Sequence, residues 1–537
     1  MKKSTLALSI AAAIGSLGLA GAANATVSVN SGGIGHKLVF PYFSAQGDNA
    51  TLLSITNTDT TNGKLVKVRF RGAANSDDLF DFQVLMSPGD VWTAAVSKDA
   101  TTGKAMLSTS DKSCTLPASV NSTFNTDRLD PSATDEAKAS GTREGYVEVI
   151  NMGDISASAY NTLSAGGTTA AATSLFKTVK HVAGVAPCAT AVLQEKLGGL
   201  STAPGNAVLT GEVTAPTTGL TGDWIILNQA NTAAWSGSAT ALHYSGSTNT
   251  VFWPQKTGAV STSTTATAIA TDLANLTADP LLTSGVVTAQ YFDLPDLSTK
   301  YESYSNAAAQ ADAITAELAV KAVRNQFVTS DDIAAVTDML FAQPTRRYHV
   351  AVNYTAIKDD PSTGGVETSW SPLAKTGKDV LPVYRDTSTT AVNGTGGTYY
   401  NTTNMAFPTG SRTLCLNSIT TPSKDNRFDR EELTPATSTT DFVISPRPAV
   451  AATTVFVCGE AAVMSINNGG TVTDSALSAS VARNDVTFPA GYENGWLSFN
   501  TAGTGNTSGL PILGASFVRM ANGAVNYGVS YGHKTSK

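Results

Sequence analysis

Charge is scarce in this chain. Only 14% of its 537 residues are Asp, Glu, Lys or Arg, against roughly 25% in an average soluble domain. The 35 Lys and Arg are outnumbered by 42 Asp and Glu, giving a formal net charge of −7. An acidic chain with no basic block excludes nucleic acid as the expected partner. Histidine is rarer still. His36, His181, His243, His349 and His533 stand alone, with no H-E-x-x-H and no His-x-His. The four cysteines contain no C-x-x-C pair, which argues against a zinc site. There is no G-x-S-x-G elbow and no P-loop. Fragments of a serine β-lactamase pattern occur at Ser174-x-x-Lys177, Lys256-Thr257-Gly258 and Lys375-Thr376-Gly377. No S-D-N joins them, and both K-T-G strings sit in polar, turn-like stretches. With no complete chemistry motif, the chain is expected not to be an enzyme. At 42% hydrophobic residues it is still too apolar to be wholly disordered.

The N-terminus carries an address. Met1-Lys2-Lys3 is a basic n-region, Leu6 to Leu19 an Ala-rich apolar stretch, and Ala23-Asn24-Ala25 an A-x-A cleavage site. Residues 1–25 are therefore expected to be a secretory signal peptide that is removed on export. No later run reaches ~18 uninterrupted apolar residues, so no membrane helix is expected. The closing Tyr531-Gly532-His533-Lys534-Thr535-Ser536-Lys537 lacks the final aromatic residue usual for an outer-membrane barrel. Export also suits the cysteines. An even number in an oxidising compartment favours two disulfides. Proximity suggests Cys114–Cys188 and Cys415–Cys458, with separations of 74 and 43 residues.

What the chain has in abundance is Thr, Ser, Ala and 46 Gly. Short runs of alternating apolar and polar residues, split by turn signals, recur through it. Lys37 to Phe43, Thr51 to Asn57, Leu65 to Arg71, Phe80 to Met86, Val91 to Val96 and Arg143 to Ile150 all read as strands. Asn62-Gly63 reads as a hairpin turn. The alternating basic residues of LVKVRFR predict a half-exposed strand. Residues 98–142 read as a long polar surface excursion. Short helices are expected at 170–181 and 187–197, and a longer one at 305–322. Further strands are expected at 207–213, 223–228, 239–244, 348–354, 413–416, 454–457, 495–499, 512–519 and 524–531. Val260 to Thr271 is a low-complexity tract. The fold class is mainly β: a multi-module, Ig-like β-sandwich architecture with long loops and a few short helices. The expected modules are 26–200 with a helical excursion, 201–411 with one helix, and 412–537. Thr suits both strand and water, and low charge lowers the desolvation cost of packing on further copies.

Acidic clusters are the candidate binding residues. Asp77, Asp78 and Asp81 lie between two strand-like runs, and Asp425, Asp429, Glu431 and Glu432 form the most charged stretch. Hard carboxylate oxygens in such groups suit Ca²⁺. Solvated turns with salt bridges to neighbouring arginines are the simpler reading. The six Trp sit mostly inside strand-like runs and are expected in the core.

The blocks from Asn49 to Ala94 (NATLLSITNTDTTNGKLVKVRFRGAANSDDLFDFQVLMSPGDVWTA), Thr142 to Val149 (TREGYVEV) and Leu510 to Lys534 (LPILGASFVRMANGAVNYGVSYGHK) together resemble a family of exported Gram-negative surface-layer proteins. That family is similar to the sheath protein of bacterial nanopods, the tubes that carry outer-membrane vesicles. The resemblance covers about a third of the chain and implies a secreted, self-assembling lattice on the cell surface. It brings no catalytic residues. Lipopolysaccharide or the outer membrane is the expected further partner, with Ca²⁺ as a bridging ion. The alternative is an adhesin or fimbria-associated binding module.

Overall fold

The alternating runs near the N-terminus become the strands of a two-sheet sandwich. The computed structural model describes residues 26–537 apart from 166–172, 199–210, 247, 249, 253–254, 256–277, 284–294, 302–303, 355–379, 386–391, 394, 409–410, 417–426, 430–456, 469–473, 489–492, 503–505 and 524. The expected signal peptide, the Val260–Thr271 tract, Trp253, Trp370 and much of 358–411 lie outside the described residues. Among the described residues the fold is mainly β, with 46% strand and 14% helix, and the helices there are few and short.

The first fourteen strands are β1 (Val27–Val29), β2 (Lys37–Ser44), β3 (Asn49–Asn57), β4 (Gly63–Gly72), β5 (Asp78–Met86), β6 (Val91–Lys98), β7 (Ala105–Ser108), β8 (Cys114–Leu116), β9 (Ser122–Thr123), β10 (Glu144–Ile155), β11 (Val213–Thr214), β12 (Leu220–Asn228), β13 (Ala233–Ser238) and β14 (Thr240–Tyr244). They form an eight-stranded sheet, β1-β14-β2-β10-β4-β5-β8 with β11 beside β10, and a six-stranded sheet, β13-β12-β3-β6-β7-β9. Val66, Val68 and Phe70 of β4 and Val147 and Val149 of β10 meet Leu53, Ile55, Trp92 and Trp224 of the facing sheet. Burying such side chains is worth about 1.5–3 kcal/mol each.

Several expectations change here. Asn62-Gly63 does not close a hairpin, because β3 and β4 belong to different sheets. The Asp59 carboxylate accepts from the backbone N–H groups of Thr61 and Asn62, 2.8 and 3.0 Å away, and shapes a crossing between sheets. Residues 98–142 are only partly a surface excursion. Val120, Phe124 and Leu129 are buried, β7, β8 and β9 extend the sheets, and Asp135–Gly141 is a helix capped by Thr134. Sparse apolar residues among Ser and Thr hid this pattern. The expected 305–322 helix runs over Ala307–Leu318, with Asn306 as its N-cap. Ala319 and Val320 turn to strand and pair with Pro511 and Leu510.

The later strands are β15 (Ala319–Val320), β16 (Ala322–Phe327), β17 (Val336–Ala342), β18 (Val350–Asn353), β19 (Leu381–Arg385), β20 (Val392–Asn393), β21 (Met405–Ala406), β22 (Cys415–Leu416), β23 (Arg427–Asp429), β24 (Val457–Cys458), β25 (Ala461–Asn468), β26 (Arg483–Phe488), β27 (Gly495–Asn500), β28 (Leu510–Pro511), β29 (Ala515–Asn522), β30 (Val525–Gly532) and β31 (Lys534–Ser536). A five-stranded sheet, β26-β25-β17-β29-β30, packs on a four-stranded one, β23-β27-β16-β31, through Phe341–Phe499 and Phe327–Phe488 ring contacts at 5.0 and 4.9 Å. Both expected module boundaries are crossed by sheets. β12 to β14 complete sheets begun before residue 200, and β16 and β17 pair with strands beyond residue 412. The halves also share one core: Leu340, Val463 and Phe517 belong to the cluster of Phe40 and Trp224.

Both disulfides form as the spacing suggests. Cys114–Cys188 ties β8 to the segment after the Leu175–Val179 helix, and Cys415–Cys458 links neighbouring strands β22 and β24.

Candidate functional site

Three of the acids singled out in the sequence, Asp77, Asp78 and Asp81, lie on the β4–β5 hairpin, and their partners are cations of the same chain. β4 presents Val66, Val68 and Phe70 to the sandwich core and Lys67, Arg69 and Arg71 to the opposite face. That opposite face is covered rather than half-exposed. The Ala307–Leu318 helix, the 295–301 segment and Tyr348 pack over it, so Lys67, Arg69 and Arg71 are all buried. In the β4–β5 register Arg69 stands opposite Asp81 and Arg71 opposite Asp78. Close strand approach is needed beside them: a Cβ on Gly145 of β10 would lie 1.7 Å from the Arg71 carbonyl oxygen.

Arg69 donates from Nη2 and Nε to Asp78 Oδ2 at 2.6 and 3.2 Å. Lys67 pairs with Asp81. Arg71 lies 3.4 Å from Glu148 and 3.3 Å from Asp296, and Tyr348 donates to Glu148 at 2.6 Å. Arg347 donates to Asp279 at 2.7 Å and lies 3.9 Å from Asp77, which also accepts from the Tyr354 hydroxyl. Arg346 donates to the carbonyls of Ala74, Leu414 and Gly459 at 3.1–3.2 Å and stands 3.3 Å from Glu460. These residues come from both halves of the chain and form one buried charged seam. Burial raises the Asp77 carboxyl to about 7, with Arg347 only partly offsetting it. Asp78 is buried too, yet Arg69 and Arg71 hold it down to about 2. Burial likewise pushes Glu144 up to about 7, although the N–H groups of Ser480 and Val481 donate to it. On the same face Lys37 sits over the Tyr244 and Tyr301 rings, 5.4 and 4.9 Å from their centroids, and burial lowers it to about 7.

Asp77, Asp78 and Asp81 are thus brought together, but each faces a guanidinium or ammonium group. Asp425, Glu431 and Glu432 lie outside the described residues. Asp429 is on β23. Among the described residues no group of three or more His, Cys, Asp or Glu stands close enough to hold a metal ion. Sequence reading missed Glu148, Asp279, Asp296, Arg346, Arg347 and Glu460. The signal for Glu148 was present: it alternates in phase with Arg69 and Arg71 on a neighbouring strand. Arg346 and Arg347 reach the seam from a single 3-10 turn, and Asp279, Asp296 and Glu460 from irregular segments.

Two surfaces contrast with the seam. The first is the outer face of the six-stranded sheet. Its cross-strand rows are Ile225-Leu52-Ala95-Ser108 and Asp223-Ser54-Thr93, followed by Leu227-Ala50-Ser97-Met106. Asp223 is the one charged residue in these rows, and Ser238 donates to it at 2.6 Å. Ile225 is 40% exposed. The second surface surrounds Trp496. Trp92, Trp224 and Trp235 are in the core as expected, but Trp496 is 42% exposed.

Comparison of the chain with protein-family models, curated proteins and solved structures finds no match.

Proposed function

We propose that the chain is an exported structural protein that assembles with copies of itself into an extracellular surface layer or sheath, as in the nanopod-like family its sequence blocks resemble. The observation that carries this reading is the broad, nearly uncharged outer face of the six-stranded sheet. Copies of a chain with net charge −7 repel one another. A face of Thr, Ser, Ala, Leu and Ile lets two copies approach with Asp223 as the one charge in its central rows to be desolvated. Sheets stack face to face at about 10 Å. If this face meets a different surface on the next copy, the contact is heterologous and does not close, so a lattice propagates. The charged seam supports the reading by fastening both halves of the chain into one stiff building block.

Ca²⁺ belongs to the proposal as a bridge between acidic loops of neighbouring copies, or from them to lipopolysaccharide phosphates. It is assigned to the Asp425–Glu432 stretch, since Asp78 and Asp81 already face Arg69 and Lys67. The test is negative-stain electron microscopy of the purified chain with and without millimolar Ca²⁺. Sheets or tubes with a regular repeat are expected. Dispersed particles under every ionic condition overturn the assembly reading, and a lattice indifferent to chelator overturns the Ca²⁺ bridge.

A further inference from the structure

An outward groove of about 430 Å³ lies where the four-stranded sheet meets β30 of the five-stranded sheet. Trp496 of β27 lies opposite Gln326 of β16 on one side and Phe428 of β23 on the other. The Trp496 and Phe428 rings are stacked at 4.8 Å, so the indole is held in place while 42% of the residue stays exposed. Tyr531, 39% exposed, adds a second aromatic wall. Its position is fixed from behind. Asn325 donates to the Tyr531 carbonyl and to His533 Nδ1, each at 2.8 Å, and His533 Nε2 donates to the Leu340 carbonyl at 2.6 Å. Burial lowers His533 to about 4, which keeps this brace neutral.

Arg324 stands directly opposite Lys534 across the β16–β31 pair, and both are exposed. Like charges placed opposite one another on a sheet are destabilising. In an acidic chain a neighbouring carboxylate would normally relieve them. Among the described residues neither cation has a carboxylate within 4 Å, and no acid lines the groove. A flat aromatic face, a side-chain amide and two unneutralised cations suit one kind of ligand. Aromatic rings stack on the C–H faces of sugars, amides bond their hydroxyls, and paired cations hold an acidic substituent.

We propose that this groove binds an acidic saccharide, with a sugar ring on Trp496 and its carboxylate or phosphate between Arg324 and Lys534. The groove adjoins the edge of the six-stranded sheet, where Ser530 donates to the Ser236 carbonyl of β13 at 2.8 Å, but it shares no lining residue with the central rows of the open face.

The test titrates the full chain with oligogalacturonate, with a phosphorylated oligomannose and with neutral maltohexaose, following tryptophan fluorescence and calorimetry. Because Leu52→Arg lies on the other surface, that background is used so that assembly does not enter the readout. Saturable binding of at least one acidic probe is expected, at least tenfold tighter than maltohexaose and weakened by salt. Trp496→Ala is expected to weaken it at least tenfold. Arg324→Gln with Lys534→Gln is expected to abolish the preference for acidic over neutral sugar. No saturable binding of either acidic probe overturns the proposal, as does binding that survives Trp496→Ala. If Trp496→Ala instead alters sedimentation of the wild-type background and leaves sugar binding unchanged, the groove is a contact between copies and the proposal falls.

Discussion

The two sheets of the first sandwich use charge in opposite ways. The eight-stranded sheet is buried on both faces, and one of those faces carries Lys67, Arg69, Arg71 and Glu148 in a paired network. The six-stranded sheet is buried on one face, and its open face has Asp223 as the one charge in its central rows. A chain with few charges has placed many of them inside, where they fasten distant segments, and has left a broad outer surface neutral. Buried pairs do not by themselves add stability, since desolvation offsets their attraction. What they enforce is register. Arg71 accommodates Glu148 and Asp296 only when β10 and the 295–301 segment are both docked.

The sharpest way to break this contrast is to remove one partner inside. Arg71→Met leaves Glu148 buried without its guanidinium and Asp296 with only Arg69, 3.9 Å away, and is expected to cost about 3–5 kcal/mol in urea unfolding. A loss below about 1 kcal/mol would show that the seam is solvated and the contrast false. Replacing both cysteines of Cys114–Cys188 by Ser is expected to cost about 2–4 kcal/mol, since a long loop is released in the unfolded chain. If that loss exceeds the Arg71 effect, the covalent tie rather than the seam dominates the first half.

Asp77 sharpens the comparison through pH. Its folded carboxyl sits at about 7, against an ordinary 3.8. The folded state therefore holds the proton more tightly than the unfolded state, and the group favours folding less as pH rises from about 4 to about 7. Asp77→Asn removes that loss, so stability of the variant relative to the parent is expected to improve over this window. Melting temperatures of the two proteins at pH 4.5 and 7.5 check it. A constant difference contradicts the buried position. The smallest effect is expected outside: Asp223→Asn changes stability by no more than about 0.5 kcal/mol.

Much of this contrast was legible in part. The strands of the first sandwich follow from alternation, because a period of two is a local property of the chain. The disulfide pairs follow from proximity. Which side of β4 faces water was not legible, since LVKVRFR has the same alternation whether its basic face meets solvent or a second layer. The layer comes from residues 295–318 and 346–348, more than two hundred positions away. The hairpin expected at Asn62-Gly63 failed for a related reason: the turn is local, but the choice of sheet for each flanking strand is not. Asp77, Asp78 and Asp81 were recognised as a group and salt bridges to neighbouring arginines were one reading of them, but Arg347, which faces Asp77, comes from a distant segment that local pattern does not connect to the hairpin. Trp496 reads as core from its strand-like run. Only its place on the outward side of an outer sheet shows otherwise.

The central claim is that the neutral face of the six-stranded sheet carries assembly. Sedimentation velocity of the wild-type chain beside Leu52→Arg, with thermal unfolding of both as a control, tests it directly. The account predicts large, concentration-dependent species for the wild type and a monomer for the variant, at unfolding temperatures that differ little. Equal assembly of two equally stable proteins, or a wild type that stays monomeric at every concentration, contradicts it.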